Sequence, residues 1–131
     1  VEKKILVVDD STVITFLWKL VLEKEGYRVS QVNDGASALK MLAADHYEGL
    51  IVDYHMDDMD GLALAERVRA MPTYSLLPIV MITADRNEEV REGARQAGLN
   101  AWMTKPVNPD SLLEIISHLC PLNSPSANAP G

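Results

Sequence analysis

Short unbroken apolar runs alternate along this chain with stretches whose apolar residues recur every three or four positions. Ile5-Leu6-Val7-Val8, Leu50-Ile51-Val52 and Ile79-Val80-Met81-Ile82 are unbroken runs with polar flanks. Such runs, unlike alternating ones, predict strands covered on both faces, as in a parallel sheet. Arg28–Val32 carries a weaker signal and is expected nearer a sheet edge, and Ala101-Trp102-Met103 is a fifth strand candidate.

Helical periodicity fills the gaps. From Ser11 to Glu25, Ile14, Leu17, Trp18 and Val21 predict a core-facing stripe, capped by Ser11 or Asp10 and closed by Gly26. Ala36, Leu39, Leu42 and Ala43 predict a second helix; Leu62, Ala65, Val68 and Met71 a third, stopped before Pro72. Val90, Ala94 and Ala97 predict a fourth, ended by Gly98. Leu112, Leu113, Ile115, Ile116 and Leu119 predict a fifth, entered through Pro109-Asp110. A strand-helix unit repeated five times requires right-handed crossovers and gives an α/β, doubly wound parallel sheet. Residues 1–119 are read as one domain, and 120–131, rich in Pro, Ser, Asn and Ala, as a flexible tail or the start of a linker.

The candidate chemistry sits where the runs end. Asp9 and Asp10 follow the first, Asp53 the third, Thr83 the fourth and Lys105 the fifth. In open α/β sheets, ligands bind outside the carboxyl ends of the strands. Acids gathered there repel, and each raises the other's pKa unless a cation holds them. Hard carboxylate oxygens favour Mg²⁺, or Mn²⁺, and no Cys/His cluster supports zinc. A carboxylate beside such an ion can attack phosphorus to give an aspartyl phosphate, with Lys105 supplying charge and Thr83 a hydroxyl to the transferred group.

Composition narrows the setting. The 131 residues carry a net charge of −7, which argues against nucleic acid as a direct partner. No run approaches the roughly 18 apolar residues of a membrane span. Cys120 is the only cysteine, so no intrachain disulfide forms; a reducing, cytoplasmic location is expected, with Cys120 acting as a small hydrophobe.

The Asp9-Asp10 pair, Asp53 followed by Met56, Met59, Asp60 and Gly61, the Thr83-Ala84 pair and the Lys105-Pro106 pair resemble the receiver domain of two-component response regulators, the CheY-like superfamily. The resemblance covers roughly residues 3–119 and implies a flavodoxin-like three-layer sandwich with strand order 2-1-3-4-5. It implies that Asp53 is the phosphoacceptor, that Asp10 holds Mg²⁺ directly and Asp9 through water, and that the His55 backbone carbonyl is the third protein ligand. Thr83 and Lys105 would bind the phosphoryl oxygens, Trp102 would occupy the aromatic switch position, and Lys105-Pro106 would be a cis peptide. The implied partners are a sensor histidine kinase or histidine phosphotransfer domain upstream, and an output domain or downstream protein that reads the face of the fourth helix, fifth strand and fifth helix. Catalysis would be confined to the protein's own phosphorylation and dephosphorylation, so it is not expected to be an enzyme acting on external substrate.

Several residues depart from the family pattern. Asp57 stands where proline is common, Trp102 is larger than the usual Tyr or Phe, and Val107 replaces a frequent phenylalanine. His55 lies where family side chains influence the hydrolytic water, whereas His46 and His118 are expected on solvated surfaces. Val13, Phe16 and Leu20 form a second apolar stripe on the first helix, a candidate docking surface for a phosphohistidine-bearing bundle or a second receiver. Arg91 and Arg95, one turn apart, offer a homodimer face with Asp110 or Glu114, or simply a solvated one. The alternatives are a phosphorylation-independent interaction module of the same fold, a Mg²⁺-dependent phosphohydrolase and a flavin-binding carrier. The intact acid, threonine and lysine set argues against the first, and His55 in place of a second catalytic acid against the second. The absence of a Ser/Thr/Gly-rich phosphate loop after the first strand argues against the third.

Overall fold

The computed structural model describes residues 3–122. Its strands are β1 (Lys4–Val8), β2 (Arg28–Val32), β3 (Gly49–Asp53), β4 (Ile79–Thr83) and β5 (Ala101–Thr104). The helices α1 (Thr12–Lys24), α2 (Gly35–Ala44), α3 (Gly61–Ala70), α4 (Glu88–Gln96) and α5 (Pro109–Leu119) alternate with them. A single 3-10 turn at Pro72–Tyr74 lies between α3 and β4. All pairings are parallel, in the order β2-β1-β3-β4-β5 expected from the family resemblance.

The unbroken apolar runs are explained by the two faces of this sheet. Leu6 and Val8 of β1, Leu50 and Val52 of β3, and Ile79 and Met81 of β4 point into one core with Ala38 and Leu42 of α2, Leu64 and Val68 of α3, and Ala94 of α4. Ile5 and Val7, Ile51, and Val80 and Ile82 point into the other, with Leu22 of α1 and Leu112 and Ile116 of α5. Each such side chain contributes roughly 1.5–3 kcal/mol when fully buried.

Two predicted helix faces are corrected. In α1 the buried residues are Thr15 and Leu22, while Leu17, placed in the core stripe from its periodicity, is 47% exposed. Thr15 enters the core because its hydroxyl donates to the Thr12 carbonyl at 3.0 Å, which leaves no polar hydrogen unsatisfied. In α2 the sheet-facing residues are Gly35, Ala38 and Leu42; Ala36 and Ala43 are exposed. Packing also runs one residue beyond Leu119, since Cys120 is buried. Residues 123–131 of the expected tail lie outside the described residues.

Helix starts are set by side-chain caps. Ser11, rather than Asp10, caps α1, its oxygen accepting from Ile14 N at 3.3 Å. Asp34, Asp60, Asn87 and Asn108 cap α2, α3, α4 and α5 in the same way. These caps turn the chain sharply at the carboxyl edge of the sheet and leave the residues just after each strand lining a shared crevice.

Candidate functional site

Asp53 ends β3 and is only 3% exposed. It lies opposite Ile82 in the sheet register, one residue before Thr83, which ends β4 and is fully buried. Asp9 follows β1 directly and is 5% exposed. Its backbone is fixed on the β2 side by Asp9 N donating to Val32 O (3.3 Å) and by Asn33 Nδ2 donating to Asp9 O (2.9 Å). Asp10, next along, is exposed. One oxygen from each of Asp9, Asp10 and Asp53 lies within 4.8 Å of the others. The cluster expected from the strand ends is therefore assembled.

Lys105 closes the site from the β5 side. Its backbone N donates to Thr83 O at 2.8 Å, tying the ends of β4 and β5 together. Its Nζ lies 3.1 Å from Asp53 Oδ1 and 4.0 Å from Asp9 Oδ2. The first contact is a charge pairing without hydrogen-bond alignment, so Asp53 Oδ1 is a buried oxygen that receives no hydrogen bond. Asp9 is the strained member electrostatically. Burial pushes its pKa up to about 6, and the Asp53 charge adds to that rise. The Ser11 backbone N–H, donating to Asp9 Oδ1 at 2.9 Å, and the Lys105 charge oppose it without cancelling it.

The orphaned Asp53 oxygen, the buried Asp9 and the neighbouring Asp10 are an oxygen-only donor set, which fits Mg²⁺ or Mn²⁺ and not a soft metal. Thr83 Oγ1 accepts from Asp85 N at 2.9 Å, which leaves its hydroxyl hydrogen available to donate. The Lys105-Pro106 peptide is cis, as the motif implied.

Trp102 lies on β5, partly buried against the core beside Arg91 and Ala94 of α4. Its Nε1 is buried without a partner, and the Arg91 guanidinium sits 5.7 Å from the ring centroid. Arg95 pairs with Glu88 and Glu92 of its own helix. His55 is exposed, with its ring edge-on to Tyr54 at 4.7 Å between centroids. His118 is exposed, but His46 is partly buried, stacked on Tyr74 and 3.1 Å from Glu48. The expected stripe on α1 is solvent-facing: Val13 is 69% exposed, and Phe16 and Leu20 are 51% exposed.

Sequence reasoning missed Asp58. Its carboxylate accepts from the backbone N of Gly35 (Oδ1, 3.0 Å) and of Ala36 (Oδ2, 2.9 Å), which fastens the loop after β3 to the start of α2. Those two bonds hold its pKa below the usual carboxylate value.

Residues 5–117 match the family model for the response regulator receiver domain. The chemotaxis protein CheY of Pseudomonas aeruginosa is 33% identical over 117 residues, covering 88% of this chain and 94% of that protein. An uncharacterized 14.6 kDa protein of Leptolyngbya boryana is 37% identical over 126 residues, with 96% of each chain covered. The sensory/regulatory protein RpfC of Xanthomonas campestris is 33% identical, and this chain spans 16% of its length. The crystal structure of chemotaxis protein CheY4 of Vibrio cholerae matches with a TM-score of 0.87 at 30% identity, covering 91% of this chain and 99% of that one. With the strand order, the acid cluster and these relatives in agreement, the chain belongs to the receiver-domain family of two-component response regulators.

Proposed function

We propose that Asp53 accepts a phosphoryl group from the phosphohistidine of a sensor histidine kinase or histidine phosphotransfer domain. The observation that carries this reading is Asp53 Oδ1 itself. It is buried, receives no hydrogen bond, and sits 3.1 Å from the Lys105 ammonium beside two further acids. In the transfer, this carboxylate forms an O–P bond as the donor's N–P bond breaks, the bonding pair staying on the imidazole nitrogen. Lys105 balances charge on the arriving group, and the Thr83 hydroxyl donates to one of its oxygens. Asp10, Asp9, Asp53 and the His55 carbonyl would hold Mg²⁺ or Mn²⁺, which supplies Lewis-acid neutralisation of phosphoryl charge. Return to the starting state is hydrolytic: a water oxygen bonds to phosphorus, the aspartyl O–P bond breaks, and the carboxylate is restored. The protein turns over only its own phosphate and acts as a cytoplasmic signalling switch.

The same reading extends to the output. Once Thr83 donates to the phosphoryl group, the balance around Trp102 changes, which biases the surface formed by α4, β5 and α5 toward an output domain or downstream protein. Trp102 starts partly buried under Arg91, so its rearrangement exchanges a cation–π contact rather than moving a free side chain. Among the described residues, no helix is long and apolar enough to cross a membrane.

The test is intact mass after incubation with Mg²⁺ and acetyl phosphate. One phosphoryl group should be gained by the wild type and none by Asp53→Asn. A wild type that binds Mg²⁺ yet gains no mass would overturn the proposal.

A further inference from the structure

The loop between β3 and α3 carries His55, and it is held at three points. At its start, Tyr54 N donates to Ile82 O at 2.9 Å. At its end, Gly61 N donates back to Tyr54 O at 2.8 Å. Between them, Asp58 grips Gly35 N and Ala36 N on a different element, α2.

This grip is not an ordinary helix cap. Asp34 already caps α2, its Oδ1 accepting from Ser37 N at 2.6 Å. The first bond within the helix runs from Ala38 N to Asp34 O. The N–H groups of Gly35 and Ala36 are thus the ones left over in the first turn, and a carboxylate from another loop takes both. Asp58 also accepts from Met59 N at 3.0 Å, which fixes its own backbone to the same carboxylate. Met59 packs so closely on Gly35 that a Cβ there would lie 2.5 Å from Met59 Cγ. Loop and helix are therefore joined by polar and apolar contacts at one spot.

We propose that Asp58 is a positioning residue for the metal site: by clamping the loop to α2 it fixes the segment 55–57, and with it the His55 carbonyl. The inference rests on the phosphoacceptor reading above. Only three residues separate the Tyr54 anchor from the Asp58 clasp, so slack at Asp58 passes directly to His55. A ligand carbonyl displaced by about 0.5 Å is already poorly placed for an ion that demands near-ideal octahedral geometry. The clamp acts through the Gly35 and Ala36 N–H groups alone, so those two contacts are the part of α2 that belongs to the site.

The experiment is calorimetric titration of unphosphorylated protein with Mg²⁺, alongside thermal melting in chelator. The variants are Asp58→Ala, Asp58→Asn and Asp34→Ala. Asp34→Ala removes a cap from the same helix without touching the loop, so it reports the purely structural cost. Asp58→Ala is expected to weaken Mg²⁺ binding on the order of 10-fold, as loss of an outer-shell partner does. Asp58→Asn, which keeps one acceptor, should fall between, and Asp34→Ala should lower the melting temperature while binding Mg²⁺ as the wild type does. Equal Mg²⁺ affinity in wild type and both Asp58 variants would overturn the inference alone. A wild type that binds no Mg²⁺ would overturn the phosphoacceptor reading, and this inference with it. If Asp58→Ala does not fold, the Asp58→Asn affinity decides.

Discussion

Asp9 is held in the folded protein at a cost that depends on pH. Its pKa rises from 3.8 to about 6 because burial disfavours the carboxylate. Between those values the folded chain keeps a proton that the unfolded chain has released. Its contribution to stability is therefore complete at the acidic end and is lost as pH rises through about 6. The full effect is on the order of 2–3 kcal/mol. Metal-free protein should then melt higher at pH 5 than at pH 7 as far as this group is concerned. Asp9→Asn should flatten that difference and raise the pH 7 melting temperature, read by scanning calorimetry in chelator; an unchanged pH profile would count against the assignment. At this scale the sequence was readable where chemistry and strand ends coincide: Asp9, Asp10, Asp53, Thr83 and Lys105 each follow or end an apolar run. Asp58 was not readable, because its partners lie 22 and 23 residues away and nothing local marks an acid in an acidic loop as a clasp.

The elements owe their positions to a few close approaches. Gly61, the first residue of α3, packs against the end of β3: an added Cβ would lie 2.7 Å from Asp53 O and 3.0 Å from Tyr54 Cα. Backbone on both sides cannot yield, so Gly61→Ala should cost about 1–3 kcal/mol in denaturant unfolding and should also slow phosphorylation of Asp53. Gly93, inside α4, differs, since a Cβ there meets only the tip of Leu62 at 2.7 Å. Leu62 can turn aside, and alanine gains about 1 kcal/mol of helix propensity, so Gly93→Ala should be neutral or stabilising in the same assay. All five strands and all five helices were legible, because strands covered on both faces show continuous apolar runs. The inward face of α1 was not, since a count of apolar residues favours Leu17 and passes over Thr15, whose hydroxyl is satisfied within the helix. The 3-10 turn at Pro72–Tyr74 is too short to leave a periodic signal.

Across the whole molecule, apolar surface is concentrated beside the site. Val13, Phe16, Leu17 and Leu20 are exposed along α1. Of these, Leu17 also lines a groove of about 570 Å³ with Ile14, Trp18, Val107 and Pro109, with Lys105 at its edge. If the exposed stripe on α1 docks a phosphohistidine-bearing bundle, it acts on transfer from that donor alone. Replacing Phe16 and Leu20 with Ser should slow phosphotransfer from a histidine phosphotransfer domain at least 10-fold, about 1.4 kcal/mol of barrier, and leave the rate from acetyl phosphate unchanged. Equal slowing from both donors would remove the docking role. Strand order was accessible through the family motifs; the groove was not, because it forms between α1 and the segment after β5, far apart in sequence. The opposite end of the molecule holds a different resource. Cys120 is the chain's only thiol, buried, donating to Glu48 O at 3.3 Å while its own carbonyl accepts from Tyr27 OH. Burial pushes its pKa from 9.0 up to about 11. Alkylation needs both access and thiolate, and the folded chain withholds both. The thiol is therefore a chemical stopwatch, and its labelling rate counts how often the end of α5 lifts from the sheet.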